Sequence, residues 1–107
     1  PVQGSFNHNF CLADLRRDLA PVAQLSAPRS GLSMQVSTTE PGLQLYTGQG
    51  LTGSGLSHGG HGNGPFAGIC LEPQSWPDAP NNASFPSIDL APGERYQQVS
   101  EFAFLQR

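Results

Sequence analysis

The sequence has no lysine and few charges of either sign. Its basic residues number five against eight acids, the net charge is −3, and charged residues make up only 12% of the chain. The arginines are scattered except for the Arg16-Arg17 pair. A nucleic-acid backbone is held by clustered cationic side chains that displace its counterions. We therefore expect no nucleic-acid partner.

Long apolar runs are also lacking, and we expect no secretory leader. The longest apolar run, Phe66 to Leu71, is far too short to span a bilayer. The N-terminus has no charged start followed by the apolar stretch that marks a signal peptide. We expect a soluble, cytoplasmic protein without a membrane partner, in which the sequon Asn82-Ala83-Ser84 carries no glycan.

Cysteine is scarce, with only Cys11 and Cys70. Both lie in apolar, strand-like surroundings. Small intracellular domains keep such thiols free and packed in the core more often than they join them. We expect two buried free thiols rather than a disulfide.

Glycine and proline are abundant, with 13 and 10 residues in a chain of 107. This composition argues against a helical bundle and favours one all-β domain of short strands joined by turns. Alternation is clearest where Leu32, Met34 and Val36 alternate with polar residues. We expect residues 31–47 and 66–72 to form central strands of a mainly antiparallel sheet, and no helix longer than about three turns.

Weaker patterns predict the other elements. Leu12, Leu15 and Leu19 have helical spacing, which predicts a helical turn or two before Pro21. Further strands are expected at Phe6–Leu12, Val22–Ala27, Leu43–Thr47 and Tyr96–Leu105, with a tight turn at Glu40-Pro41-Gly42 that makes a hairpin-like unit of its two flanking strands.

Residues 48–65 are rich in Gly, Ser and His and predict a long surface loop. Within it, His58 and His61 could bind a transition metal, but no Cys, Asp or Glu lies nearby to complete a ligand set. We therefore expect no metal site.

One stretch, GICLEPQSWPDAPN at 68–81, has the features of a catalytic segment. Glu72 follows an apolar run and precedes Pro73, so it lies where a strand becomes a rigid loop. We expect it to be partly buried and held in place, as a general base must be. Trp76 offers a flat apolar wall of the kind on which sugar rings rest. The alternative is that Glu72 is a solvated acid at a strand end.

Four blocks in order, FNHNFCL, STTEPGLQLYTG, GICLEPQSWPDAPN and FPSIDLAPGERY, resemble the C-terminal part of the aldose 1-epimerase (galactose mutarotase) family. The family strings are similar to GxDHNF, TxxPGxQxYTG, GxCLExQxxPDxxN and LxPGExY. The resemblance extends from about Gly4 to Phe104, which is nearly the full chain.

The resemblance implies a large, mainly antiparallel twisted β-sandwich, the galactose mutarotase-like supersandwich, of which residues 1–107 are the C-terminal segment of a single domain. It also implies an isomerase that interconverts the α and β anomers of free aldohexoses such as glucose and galactose without a cofactor. In this family a Glu removes the proton from the anomeric hydroxyl and a His protonates the ring oxygen. The base corresponds to Glu72, and a sugar-hydroxyl ligand corresponds to Gln44.

The sequence departs from the family in two ways. Asn7 replaces the Asp that binds a sugar hydroxyl, so the position keeps its hydrogen bonding but loses its charge. The acid His, a second active-site His and a sugar-binding Arg belong to an N-terminal portion that this chain does not contain, and neither His8 nor the loop histidines match them. We therefore expect this chain alone to be inactive and to expose an apolar sheet face, or to cover it with the missing portion or another chain.

Three hypotheses follow. The chain is a segment of a mutarotase, or a non-catalytic carbohydrate-binding piece, or a structural remnant without a ligand. Asn7 favours the binding piece. Retention of Glu72 and Gln44 favours the enzyme, since a binding module needs no base.

Overall fold

A computed structural model describes residues 4–53, 55, 58–60 and 62–106. It contains six β-strands and one short 3₁₀ turn. In chain order these are β1 (Asn7–Cys11), β2 (Ala20–Ala27), β3 (Leu32–Thr38), β4 (Gly42–Tyr46), β5 (Cys70–Gln74), the 3₁₀ turn Ala79–Asn81, and β6 (Ser100–Gln106).

The strands form two antiparallel sheets of three strands each, in the orders β1-β4-β5 and β2-β3-β6. The chain crosses from one sheet to the other after β1, after β3 and after β5. The predicted all-β class is confirmed, and the arrangement is that of part of a β-sandwich. In the described residues, no helix is long and apolar enough to cross a membrane.

The period-two pattern correctly predicted β3 and β4, and each is the middle strand of its sheet. The predicted hairpin-like unit is wrong, because β3 pairs with β2 and β6 whereas β4 pairs with β1 and β5. Residues 39–41 therefore form a corner between sheets. The predicted change of direction at Glu40-Pro41-Gly42 is present, but it leads the chain to the other sheet instead of folding it back beside β3.

Two other predictions are wrong. Residues 66–69 are irregular, with Phe66 at φ 62°, and β5 is an edge strand of its sheet in the described chain instead of a central one. The segment between β1 and β2 contains no helical turn. Its N–H groups bond across to the corner instead of along a helix, from Leu12 to the Pro41 carbonyl (2.8 Å) and from Arg17 to the Thr39 carbonyl (3.2 Å).

The last strand is shorter than predicted, since β6 begins at Ser100 instead of Tyr96. Phe102 and Phe104 share a face, as their spacing predicts. Both are exposed, at 43% and 62%. Of the residues 48–65 predicted to be a loop, the described ones include no long strand or helix; His61 lies outside the described residues.

The core is thin. Among the described hydrophobic residues only Val36, Leu43 and Ala79 are buried, whereas many large apolar side chains are exposed. A single-domain protein of this length normally buries about two thirds of its unfolded surface. The expected uncovered apolar face is therefore present.

Both cysteines are free, as predicted, but both are exposed, so the expected burial is wrong. Cys11 ends β1 and Cys70 begins β5. Alternation along the strands places both cysteines on the polar side of the β1-β4-β5 sheet. Their apolar neighbours Phe10 and Leu71, which suggested burial, point to the other side.

Candidate active site

The β1-β4-β5 sheet has one polar and one apolar face. Successive side chains of a strand point to opposite sides, and paired residues of neighbouring strands point to the same side. The polar face carries Asn7, Asn9, Cys11, Gly42, Gln44, Tyr46, Cys70, Glu72 and Gln74, and the apolar face carries His8, Phe10, Leu43, Leu45, Leu71 and Pro73.

Three predicted site residues lie together on the polar face. The register pairs Gln44 with Glu72 on one side and with Asn9 on the other, so Asn9, Gln44 and Glu72 form one row across the sheet. Asn7 lies in the next row, and its side-chain oxygen Oδ1 accepts a hydrogen bond from Gln44 Nε2 at 2.8 Å. Each of Asn7, Gln44 and Glu72 comes from a different strand.

Sequence reasoning missed two amides of this face. Gln74 Nε2 donates to Gln44 Oε1 (3.0 Å) and to Asn9 Oδ1 (3.1 Å). The Gln44 amide is thus held at both ends, by Gln74 and by Asn7. The spacing Asn-x-Asn at 7–9 and Glu-x-Gln at 72–74 is period two, which could have revealed both residues.

Glu72 is exposed, so the expected partial burial is wrong. It lies on the edge strand β5, and no element of the described chain covers the polar face at this position. In the described part of the chain its carboxylate makes no side-chain hydrogen bond, unlike the neighbouring amides. An ionised carboxylate has acceptor sites on both oxygens, and this one is accessible to a hydroxyl.

Trp76 lies past the end of β5 and anchors the corner. Its indole Nε1–H donates to the Pro41 carbonyl at 2.9 Å, and its ring packs edge-on against Phe85 with centroids 5.2 Å apart. Gly42 permits this approach, since a Cβ there would lie 3.2 Å from Trp76 Cδ1 and 2.6 Å from Asn9 Oδ1. The role of Trp76 as a wall for a sugar ring stays a prediction.

Sequence reasoning also missed an ion pair beside the site, between a buried carboxylate and the partly exposed Arg16. The Glu40 carboxylate is completely buried and accepts a hydrogen bond from Arg16 Nε at 2.8 Å. This bond raises the pKa of the Arg16 guanidinium above its ordinary value. Glu40 lies at the corner formed by residues 39–41, and no local sequence signal reveals its burial.

The described residues contain no group of three or more His, Cys, Asp or Glu side chains arranged to hold a metal. His8 lies on the apolar face of β1, opposite Glu72. Its Nδ1 accepts the Asn7 backbone N–H at 3.0 Å, and its ring packs edge-on against Phe6. The polar face thus offers amide donors and acceptors and one carboxylate, a set suited to binding hydroxyl groups and removing one proton.

Comparison with known proteins is consistent with this chemistry. A family model described as aldose 1-epimerase matches residues 2–103. The galactose mutarotase of Bos taurus is 42% identical over 99 residues, and that of Homo sapiens is 40% identical; in each case 92% of this chain and 29% of the relative are covered. The aldose 1-epimerase of Escherichia coli K12 is 32% identical over 102 residues, covering 94% of this chain and 29% of the relative.

The chain therefore spans less than a third of the length of these relatives. The family match includes β1 to β5 and the first half of β6, and with them every residue of the polar face. The chain belongs to the aldose 1-epimerase family.

Proposed function

We propose that this chain is the C-terminal segment of a mutarotase that interconverts the α and β anomers of free aldohexoses, with galactose the first candidate because the vertebrate relatives are galactose mutarotases. The observation that carries the proposal is the row on the polar face. Gln44 and Glu72 are paired across β4 and β5, and Gln44 is bonded to Asn7 on β1.

Each residue has a role set by its chemistry. The Glu72 carboxylate accepts the proton of the anomeric hydroxyl, and Gln44 and Asn7 hydrogen-bond other hydroxyls and fix the ring over the row. As the proton leaves the anomeric oxygen, a carbonyl forms at the first carbon, the bond to the ring oxygen breaks, and the ring oxygen takes up a proton. Rotation about the bond between the first two carbons and reclosure give the other anomer.

Protonation of the ring oxygen needs an acid on the other side of the sugar. An active site that has a base but no positioned acid loses a factor of about 10²–10⁴ in rate. His8 lies on the wrong face of the sheet to supply it. We propose that the acid comes from the part of the enzyme outside this chain, which corresponds to the remaining length of the relatives.

The same part is proposed to cover the apolar face. A groove of about 350 Å³ runs between the two sheets and is lined almost wholly by apolar side chains. Its lining is Phe10, Leu12, Val22, Ala23, Gln24, Leu25, Leu43, Leu45, Ile69 and Leu71. An apolar surface of this kind is stabilised by a covering layer, which a complete sandwich supplies.

A second candidate is a non-catalytic carbohydrate-binding piece. Two observations favour it. Asn7 stands where the family has an Asp, and Glu72 is exposed. The amide network alone, Asn7 with Gln44 and Gln74, is sufficient to bind hydroxyls. The two candidates differ in turnover and not in binding.

Polarimetry decides between them. We expect the complete enzyme, with the rest of the sandwich in the same polypeptide or added as a second chain, to accelerate mutarotation of α-galactose and α-glucose, and the 107-residue chain alone to leave the rate at that of buffer. Sugar binding without acceleration by the complete protein supports the binding piece. Acceleration by the chain alone shows that one of its own side chains supplies the acid.

A further inference from the structure

The three connections between the sheets meet at one buried carboxylate. Glu40 lies on the middle connection, between β3 and β4, and is completely buried. Arg16 belongs to the connection between β1 and β2, and Ser75 and Tyr96 belong to that between β5 and β6. These four residues, which we name the Glu40 cluster, therefore tie all three crossings together.

The contacts of the cluster reach both oxygens of the Glu40 carboxylate. Arg16 Nε donates to Glu40 Oε1 at 2.8 Å, and the Tyr96 hydroxyl donates to the same oxygen at 3.3 Å. The Ser75 hydroxyl lies 3.5 Å from Glu40 Oε2. The Arg16 guanidinium also stacks on the Tyr96 ring, 4.3 Å from its centroid. A buried carboxylate that lost these partners would be an uncompensated charge.

The cluster holds the end of the strand that carries the proposed base. Ser75 directly follows β5 and lies three residues after Glu72. Its hydroxyl accepts a hydrogen bond from Arg16 Nη2 at 3.2 Å. Since β5 is paired only to β4 in the described sheet, the position of its end depends on such contacts more than that of a central strand. Gln44, by contrast, lies on the middle strand β4, whereas β1, which carries Asn7, is the other edge strand of the described sheet.

We infer that the Glu40 cluster is a positioning device for Glu72, which fixes the end of β5 so that the carboxylate reaches the anomeric hydroxyl. This inference rests on the proposed function. A displacement of a reacting group by about 1 Å can cost about 10²-fold in rate. Loosening β5 is therefore expected to lower turnover while leaving sugar binding, which uses β1 and β4, nearly unchanged.

The test is Ser75→Ala in the complete enzyme. It removes the hydroxyl that joins Arg16 and Glu40 to β5 and keeps the Arg16–Glu40 pair. We expect kcat for galactose to fall about tenfold, KM to change less than about twofold, and the thermal midpoint to stay near that of the wild type. Ser75→Thr, which keeps a hydroxyl, should restore most of the turnover. Ser26→Ala, the same change at an exposed site on β2, is the matched control.

Glu40→Gln gives a second measurement, since it keeps an acceptor oxygen but removes the charge. The expected result is again a fall in kcat at nearly constant KM. Normal kcat per folded molecule in both variants overturns the inference and leaves the cluster a clamp of the fold. A wild-type complete enzyme without mutarotation, or a Glu72→Gln variant with normal turnover, overturns the proposed function as well. Turnover lost in Glu72→Gln but kept in both Ser75→Ala and Glu40→Gln overturns this inference alone.

Discussion

The two faces of the β1-β4-β5 sheet are built by alternate residues of the same three strands, yet they have different surroundings. On the polar face, Asn7, Gln44 and Gln74 bond to one another and leave Glu72 open to solvent. On the apolar face, Leu43 is buried but Phe10 is 48% exposed. The amides of the polar face bond to one another, whereas the apolar face is only half covered.

The two faces differ in what they need from the rest of the protein. Amide groups can satisfy each other within one sheet, so the polar face needs no second layer to be ordered. Apolar side chains cannot do so and gain stability only when water is removed from them. A segment of a sandwich can therefore carry an ordered row of amides while it depends on other chain segments for its core.

The largest effect is expected from Glu72→Gln in the complete enzyme. Gln keeps the shape and the hydrogen bonding of the side chain but cannot take the proton, so turnover should fall by about 10²–10⁴ while sugar affinity changes little. Polarimetric turnover and sugar affinity are measured on the same folded sample.

The control for this change is Glu101→Gln, the same substitution at an exposed position of β6. It should leave turnover unchanged. If Glu72→Gln keeps near-normal turnover, Glu72 is a solvated strand-end acid and the polar face binds without catalysing.

The apolar face is tested next, by Leu43→Ala. Leu43 is 4% exposed, so its truncation leaves a cavity and should lower the free energy of unfolding of the complete enzyme by about 2–4 kcal/mol. Leu15→Ala is the control, since Leu15 is 71% exposed and its loss should cost less than about 0.5 kcal/mol. Urea denaturation measures both, and equal losses would contradict the assignment of Leu43 to the core.

Phe10→Ala tests whether the exposed part of the apolar face is covered in the complete enzyme. Phe10 lies in the groove and is 48% exposed in this chain. If the rest of the sandwich covers the groove, Phe10→Ala should cost clearly more stability than Leu15→Ala in the complete enzyme. Losses of the same size for the two variants would show that the groove stays open.

The amide network is expected to give a smaller effect. Gln74→Met keeps the length of the side chain but removes the two hydrogen bonds that hold Gln44 and Asn9, so sugar affinity should fall by about 1 kcal/mol, roughly fivefold. Titration calorimetry with galactose measures it, with the exposed Gln97→Met as the control. Unchanged affinity would mean that Gln44 is held in place without Gln74.

The sequence predicted what depends on alternation and failed where partners are distant. Strand β3 was evident because Leu32, Met34 and Val36 alternate, and the shared face of Gln44 and Glu72 then needed only the right register. The hairpin-like unit and the helical turn before Pro21 failed because local spacing cannot show which sheet a strand joins.

Burial failed for a related reason. Glu72 follows three apolar residues, yet it is exposed because β5 is an edge strand. Glu40, which no motif marked as special, is completely buried because Arg16 and Tyr96 reach it from sequence positions 24 and 56 residues away. Contacts of that separation depend on the topology and are not visible in a local pattern.

The effect expected from Asn7→Asp is of similar size and opposite sign, and it tests whether the proposed sugar site extends to β1. The Asn7 oxygen that accepts from Gln44 Nε2 is kept in Asp, while the amide nitrogen becomes a second acceptor oxygen. A charged acceptor bonds a hydroxyl more strongly than a neutral one, so sugar affinity should rise by about 1 kcal/mol. Glu72 is two strands and one row away, about 12 Å, so repulsion between the two carboxylates at the exposed face should offset little of this gain. Calorimetric titration of the complete enzyme measures the change, and Gln35→Glu, which adds the same charge at an exposed position of the other sheet, is the control. If both variants shift affinity equally, the effect is one of net charge; if neither shifts it, Asn7 lies outside the sugar site.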